Sequence, residues 1–193
     1  MIACGAIGAQ VRLAARAAPG RVEVHSLPAL LHNRPAEIAP AVEALCVRLR
    51  REGRDVAVAY ADCGTYGALD EVCARLGIER LPGLHCYDLT AGSGVVADLL
   101  REEPGTYLLT DFIVRTFERL VAAQLGLDRH PELVGDYFAH YRRIVWLAER
   151  PTPALEARAR SIAARLGLDL EVRRVGRRPL SGALGRLLSG RAA

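Results

Sequence analysis

"DVAVAYADCGTYGALDEVCARLG", residues 55–77, decides the fold. Residues 55–61 form a mostly apolar run of strand length, and Leu69, Val72 and Leu76 then recur at helical spacing until Gly77 closes the helix. A buried strand therefore ends at Asp62, Cys63 and Gly64 and turns at once into a helix. The same alternation continues in both directions. Strand-length apolar runs fall at residues 1–7, 22–27, 84–89, 107–110, 144–148 and 170–175, with helical spacing between them at Ile38, Val42, Leu45 and Leu49, and later at Leu155, Ala159, Ile162 and Leu166. Pro35 opens a helix predicted over 35–51, and Gly53 punctuates its end. Alternating strands and helices predict an α/β fold, a three-layer α/β/α domain on a mostly parallel sheet, because parallel neighbours need crossover connections that helices supply.

The chain has 193 residues, a length within the range of a single domain, and no low-complexity linker or internal repeat divides it. One domain over 1–193 is expected, with the tail from about residue 179 peripheral and its last few residues frayed. The net charge is +4, and every basic residue is arginine, since the sequence has no lysine. Acidic residues interrupt the arginine clusters and aromatics are few, a pattern that argues against nucleic acid as a partner. No run approaches the roughly 20 apolar residues of a membrane span, and no basic residue precedes Arg12 as a signal peptide requires. Five cysteines, an odd number, suit a reducing cytoplasmic compartment better than a disulfide framework.

The cysteines sort by position. Cys46 and Cys73 fall on the apolar stripes of two predicted helices and read as small core residues. Cys4, Cys63 and Cys86 stand at or near predicted strand ends, and glycine follows Cys4 and Cys63 directly. In a parallel sheet the carboxyl ends of the strands share one edge, and the crevice beyond it is where such proteins bind ligands. The same edge is expected to receive His25, Asp62, His85 and Asp111.

Thiolate and imidazole are the preferred ligands of zinc and related transition metals, and a catalytic zinc site commonly uses three protein ligands. Cys4, Cys63 and either His85 or Cys86 form the expected set, since adjacent residues of a strand face opposite ways. An alternative makes Cys63 a metal-free nucleophile activated at a helix start, with Asp62 and Asp111 as further catalytic candidates and Gly64 giving a substrate close access to the backbone. "LHNRP", residues 31–35, places His32, Asn33 and Arg34 before a helix, where they read as an anion or small-ligand site. Asp111 also has a structural reading, as part of a helix cap.

The ordered segments "CGAIG", "LPALLHNRP", "YADCGTYGALD", "LHCYDLTAG", "PGTYLLTDF", "LGLDRHPEL" and "YFAHYRRIVWLA" resemble the bacterial and archaeal family known as domain of unknown function 1638, over residues 2–175. The matching positions are Cys4, His32, Asn33, Asp62, Cys63, Gly64, His85, Cys86, Asp111 and His130. The resemblance implies a shared site at those residues and an association with corrinoid-dependent methyl transfer. In that role the protein is an enzyme or component holding zinc or another transition metal, and any corrinoid belongs to a partner corrinoid protein or methyltransferase. A non-catalytic carrier or sensor of a metal or small-molecule ligand is the other class the same residues allow.

Overall fold

The computed structural model describes residues 1–18, 20–92 and 94–189. In chain order its elements are β1 (Ile2–Cys4), α1 (Gly8–Ala17), β2 (His25–Leu27), α2 (Ile38–Arg51), β3 (Val58–Ala59), α3 (Ala68–Leu76), α4 (Cys86–Ala91), α5 (Val95–Glu102), β4 (Thr106–Thr110), α6 (Asp111–Phe117), α7 (Val134–Phe138), β5 (Arg143–Ala148), α8 (Pro153–Leu166), β6 (Asp169–Arg174) and α9 (Arg178–Ser189). Every pairing between these strands is parallel, and helices flank the strands in a three-layer α/β/α arrangement. The strands divide into two three-stranded sheets, ordered β2-β1-β3 and β4-β5-β6. The chain correspondingly forms two compact units, one of residues 1–89 with 178–193 and one of residues 90–177. Among the described residues no helix is long and apolar enough to cross a membrane.

In the first unit β1 lies in the middle, so the chain moves to one side of it for β2 and then crosses to the other side for β3. Right-handed crossovers in opposite directions put α1 and α2 on opposite faces of the sheet and create a switch point between β1 and β3. All three residues of β1 are buried, as are both of β3, because each lies between helices. The apolar run at 55–61 pairs as a ladder only over Val58–Ala59, and the run at 22–27 only over His25–Leu27.

The strand expected at 84–89 is absent. The segment that accompanies β3 lies earlier: the Val58 amide donates to Glu79 and the Leu81 amide to Val58, and further along Asp62 and Cys63 donate to the carbonyls of Gly83 and Leu84. Residues 84–86 then turn into α4, because the Asp88 carboxylate accepts from the amides of Leu84 at 3.0 Å and His85 at 3.1 Å, satisfying donors that a helix start leaves unpaired.

The tail expected to be peripheral carries α9, whose Leu180, Ala183, Leu184 and Leu187 are buried in the same core as Ile2, Val11 and Val42. The last residues, expected to fray, lie outside the described ones. In the second unit β4, β5 and β6 follow one another in order, and Leu109, Phe117, Ile144 and Trp146 fill the core with residues of α8.

Candidate metal centre

Cys4 is the last residue of β1, and its sulfur is fully buried with the rest of the residue. Two residues on, the Ala6 amide donates to that sulfur at 3.4 Å. Gly5 stands between them for a steric reason. A Cβ there would lie 2.6 Å from the Leu27 carbonyl oxygen and 2.8 Å from the Ala29 nitrogen, so only glycine lets the chain after β2 pass this close. That chain is a 3-10 turn, Ala29–Asn33, and it carries His32.

His32 is held in one orientation. Its Nδ1 lies 2.9 Å from the Ala29 carbonyl oxygen, an acceptor only, so Nδ1 carries a proton and Nε2 faces the sulfurs. From Nε2 the Cys4 sulfur is 3.6 Å away and the Cys86 sulfur 3.9 Å. Cys86, the first residue of α4, places its sulfur 3.7 Å from that of Cys4 and 3.3 Å from that of Cys63. The donor atoms of Cys4, His32 and Cys86 all lie within 4.8 Å of one another. Cys63 adjoins this group through Cys86 and His32.

Cys63 sits in a loop whose shape is set by Asp62. One Asp62 oxygen accepts from the Thr65 hydroxyl and the Gly67 amide, the other from the Tyr66 amide. Burial opposes ionisation of this carboxyl, but those three donors outweigh it and hold the pKa below the usual range. Asp62 thus shapes the loop. Cys63 and Tyr66 adopt left-handed backbone with φ of 54° and 52°, a conformation costing about 1–3 kcal/mol for a residue with a side chain. Gly64, at φ +83°, takes the same region without that cost and rests against Pro35.

The proton distribution follows from the contacts. Hydrogen bonding from the Cys86 thiol, against the opposing effect of burial and helped by His32, lowers the Cys4 pKa to about 5. The same causes lower Cys63 to about 6. Cys86, in hydrogen-bonding contact with the sulfurs of Cys4 and Cys63 and buried beside them, is raised well above the ordinary thiol value. Burial works against the His32 cation, yet hydrogen bonds to Cys4 and Cys63 prevail and raise it to about 11. In the metal-free cluster these contacts favour ionisation of Cys4 and Cys63 and favour the protonated forms of Cys86 and His32.

Tyr60 completes the pocket, a residue the sequence reading passed over as part of an apolar run. Its ring is stacked on His32 with centroids 6.4 Å apart. Its hydroxyl is buried without a hydrogen-bond partner. Burial and the charge of Cys4 both raise its pKa, so the hydroxyl keeps its proton beside the cluster.

The other candidates lie elsewhere. His85, expected as an alternative ligand, is 52% exposed and turned toward Asp88, 3.9 Å away. The helix start rotates successive side chains by about 100°, which brings Cys86 in and leaves His85 out. His25 is at the opposite end of its strand from the one predicted, opposite Ile2 in register and 3.4 Å from Glu23. The run containing it enters the sheet at the histidine, so the histidine marks the amino end. Asn33 is exposed, and Arg34 is 74% exposed and paired with Glu37, so neither joins His32. Asp111 belongs to the second unit, where its carboxylate accepts from Trp146 Nε1 at 3.0 Å and from the amides of Glu149 and Arg150. The helix cap beside it is Thr110, which accepts from the Ile113 amide. Cys46 and Cys73 are buried in the core, as their helical stripes predict.

Fold and site together define an α/β/α protein with a Cys/His cluster at the carboxyl edge of a parallel sheet. The chain belongs to the family described as Protein of unknown function (DUF1638), whose model matches residues 26–184. The matched span contains His32, Cys63 and Cys86 and begins after Cys4. No curated protein and no solved structure matches the chain.

Proposed function

We propose that the protein binds a zinc-like divalent transition metal through Cys4, His32 and Cys86, with Cys63 beside them as an exchangeable fourth donor. One observation carries the reading. Tetrahedral zinc with ordinary bond lengths sets its sulfur ligands about 3.8 Å apart and its sulfur and nitrogen ligands about 3.6 Å apart. The Cys4–Cys86 separation of 3.7 Å and the His32 separations of 3.6 and 3.9 Å match those edges. The surroundings fit as well: a carbonyl orients the imidazole, an amide donates to the Cys4 sulfur, and the Tyr60 hydroxyl stands ready to do so.

A thiolate-rich zinc with one exchangeable position holds and activates a substrate thiol for alkylation, which suits one-carbon transfer with a corrinoid protein or methyltransferase as partner. In that role the chain's own residues fix the metal and exclude bulk water, and Cys63 yields its place to the substrate sulfur. The placement of Cys63 beside both Cys86 and His32 supports a second reading, a closed four-ligand site in a metal carrier or sensor.

The test is metal content of protein purified without chelator and then reconstituted with zinc. One equivalent per chain is expected, falling to background in Cys4→Ser, His32→Ala and Cys86→Ser. A wild type that stays at background after reconstitution, with Cys63 alkylating rapidly, replaces this reading with the metal-free thiol nucleophile. Cobalt substitution separates the two metal readings: an added small thiol shifts the absorption of an open site and leaves a closed one unchanged.

A further inference from the structure

The geometry points to Cys63 and Cys86 as a dithiol pair that a hydroperoxide converts to a disulfide, withdrawing Cys86 from the group that binds metal. The withdrawal rests on the metal reading above; the disulfide does not.

The two sulfurs are 3.3 Å apart, the closest pair in the cluster, and a disulfide requires about 2.05 Å, so they need close by only about 1.2 Å. Their backbones already run side by side. The Cys63 amide donates to the Leu84 carbonyl at 2.7 Å, and the Asp62 amide to the Gly83 carbonyl at 3.1 Å, which fixes the loop of one cysteine against the segment leading to the other. Closure therefore falls to side-chain rotation. The competing pair is less favoured: Cys4 lies 3.7 Å from Cys86, at the end of a buried strand, with the Ala6 amide and His32 on its sulfur. Cys63 is also the donor outside the mutually close set of Cys4, His32 and Cys86, and its left-handed backbone is held by the Asp62 loop. A third thiol pressed against one ligand, and not central to the set, has a use if it can remove that ligand.

The chemistry balances with a hydroperoxide as oxidant. One thiolate of the pair attacks the outer peroxide oxygen, the O–O bond breaks, and an alcohol or water leaves with a proton from solvent, giving a sulfenic acid. The second sulfur attacks the first, the S–O bond breaks, and its own proton departs with the hydroxyl as water. Two thiols lose two electrons and the peroxide gains them. A disulfide sulfur is a poor metal ligand, because the thiolate is the form that binds, so Cys4 and His32 are left without their third partner.

The experiment treats the full chain, reduced, in metal-free and zinc-loaded forms, with a small excess of hydrogen peroxide, followed by non-reducing peptide mapping and chromophoric detection of released zinc. The expected product is a Cys63–Cys86 link that dithiothreitol reverses. Zinc release should keep pace with the link, and the oxidised chain should bind zinc at least about tenfold more weakly. Cys63→Ser should lack the link. A dominant Cys4–Cys86 link, or Cys63 carried to sulfinic acid while Cys86 remains a thiol, overturns the inference. If the link forms in a chain that never binds zinc, the metal reading fails and the dithiol stands; if zinc binds and no link forms, the dithiol alone fails.

Discussion

At the scale of the residue, His32 and His85 make the sharpest contrast. Both are histidines next to a polar turn, and only one has a ring nitrogen fixed by a carbonyl and another facing two sulfurs. His32→Ala is expected to weaken zinc binding by at least about 100-fold, since a ligand is lost rather than a supporting contact. His85→Ala should leave it unchanged, because that ring is exposed and turned to Asp88. Equilibrium competition with a chromophoric chelator measures both, and equal effects from the two variants would remove His32 from the site. Protonation supplies a second expectation. Ligands bind metal deprotonated, whereas in the metal-free cluster His32 and Cys86 both keep their protons at neutral pH, being shifted upward. Zinc uptake should therefore release protons, and apparent affinity should rise with pH and fall as acid also protonates Cys4 and Cys63 near pH 5–6. Calorimetry at pH 7 in two buffers of different ionisation enthalpy reads the release directly; buffer-independent heats would contradict the assignment.

At the scale of the element, the site depends on how closely the 3-10 turn Ala29–Asn33 passes the end of β1. Gly5→Ala puts a methyl group into backbone atoms at 2.6 and 2.8 Å, and neither the Leu27 carbonyl nor the Ala29 amide is a flexible side chain that can swing away. Overpacking of this kind costs about 1–3 kcal/mol. The turn carrying His32 is what the added methyl group would push against, so urea denaturation should show the loss of stability together with weakened zinc binding. Stability lost with full zinc affinity would mean the strain is relieved elsewhere. The same closeness explains what the sequence could and could not convey. Cys4 and Cys63 were legible because strand ends in a parallel sheet share an edge, and apolar runs locate strand ends. Cys86 reaches the edge by a different route, at the start of α4, after an extended segment at 79–84 whose alternation is too weak to read. His32 lies in a 3-10 turn, which has no hydrophobic period to mark its direction. His25 and Asp111 show the limit of counting strand ends: the first depends on where in the run the ladder begins, and the second on which sheet receives its strand.

At the scale of the whole molecule, the first unit is built from both ends of the chain, and its stability should answer to residues far from the site in sequence. The helix α9 contains Gly182 and Gly185, each costing about 1 kcal/mol relative to alanine in a helix interior, so its local propensity is poor. What holds it is burial at helical spacing: Leu180, Ala183, Leu184 and Leu187 recur at i, i+3, i+4 and i+7 and enter the core that also contains Ile2 and Val11. Leu184 is fully buried. Leu184→Ala removes that contact and leaves a cavity, so a loss of about 2–5 kcal/mol is expected in urea denaturation of the metal-free protein. Arg186→Ala, on the exposed face of the same helix, should change stability by less than about 0.5 kcal/mol. On the proposed reading zinc binds only the folded form, so at 100 times its dissociation constant it should return about 2.7 kcal/mol to the Leu184 variant by mass action, because the proposed ligands are untouched. Rescue by zinc in Leu184→Ala and not in His32→Ala would tie α9 to the stability of the first unit and His32 to the metal. A Leu184 variant as stable as wild type would instead make α9 the peripheral tail that its glycines suggest.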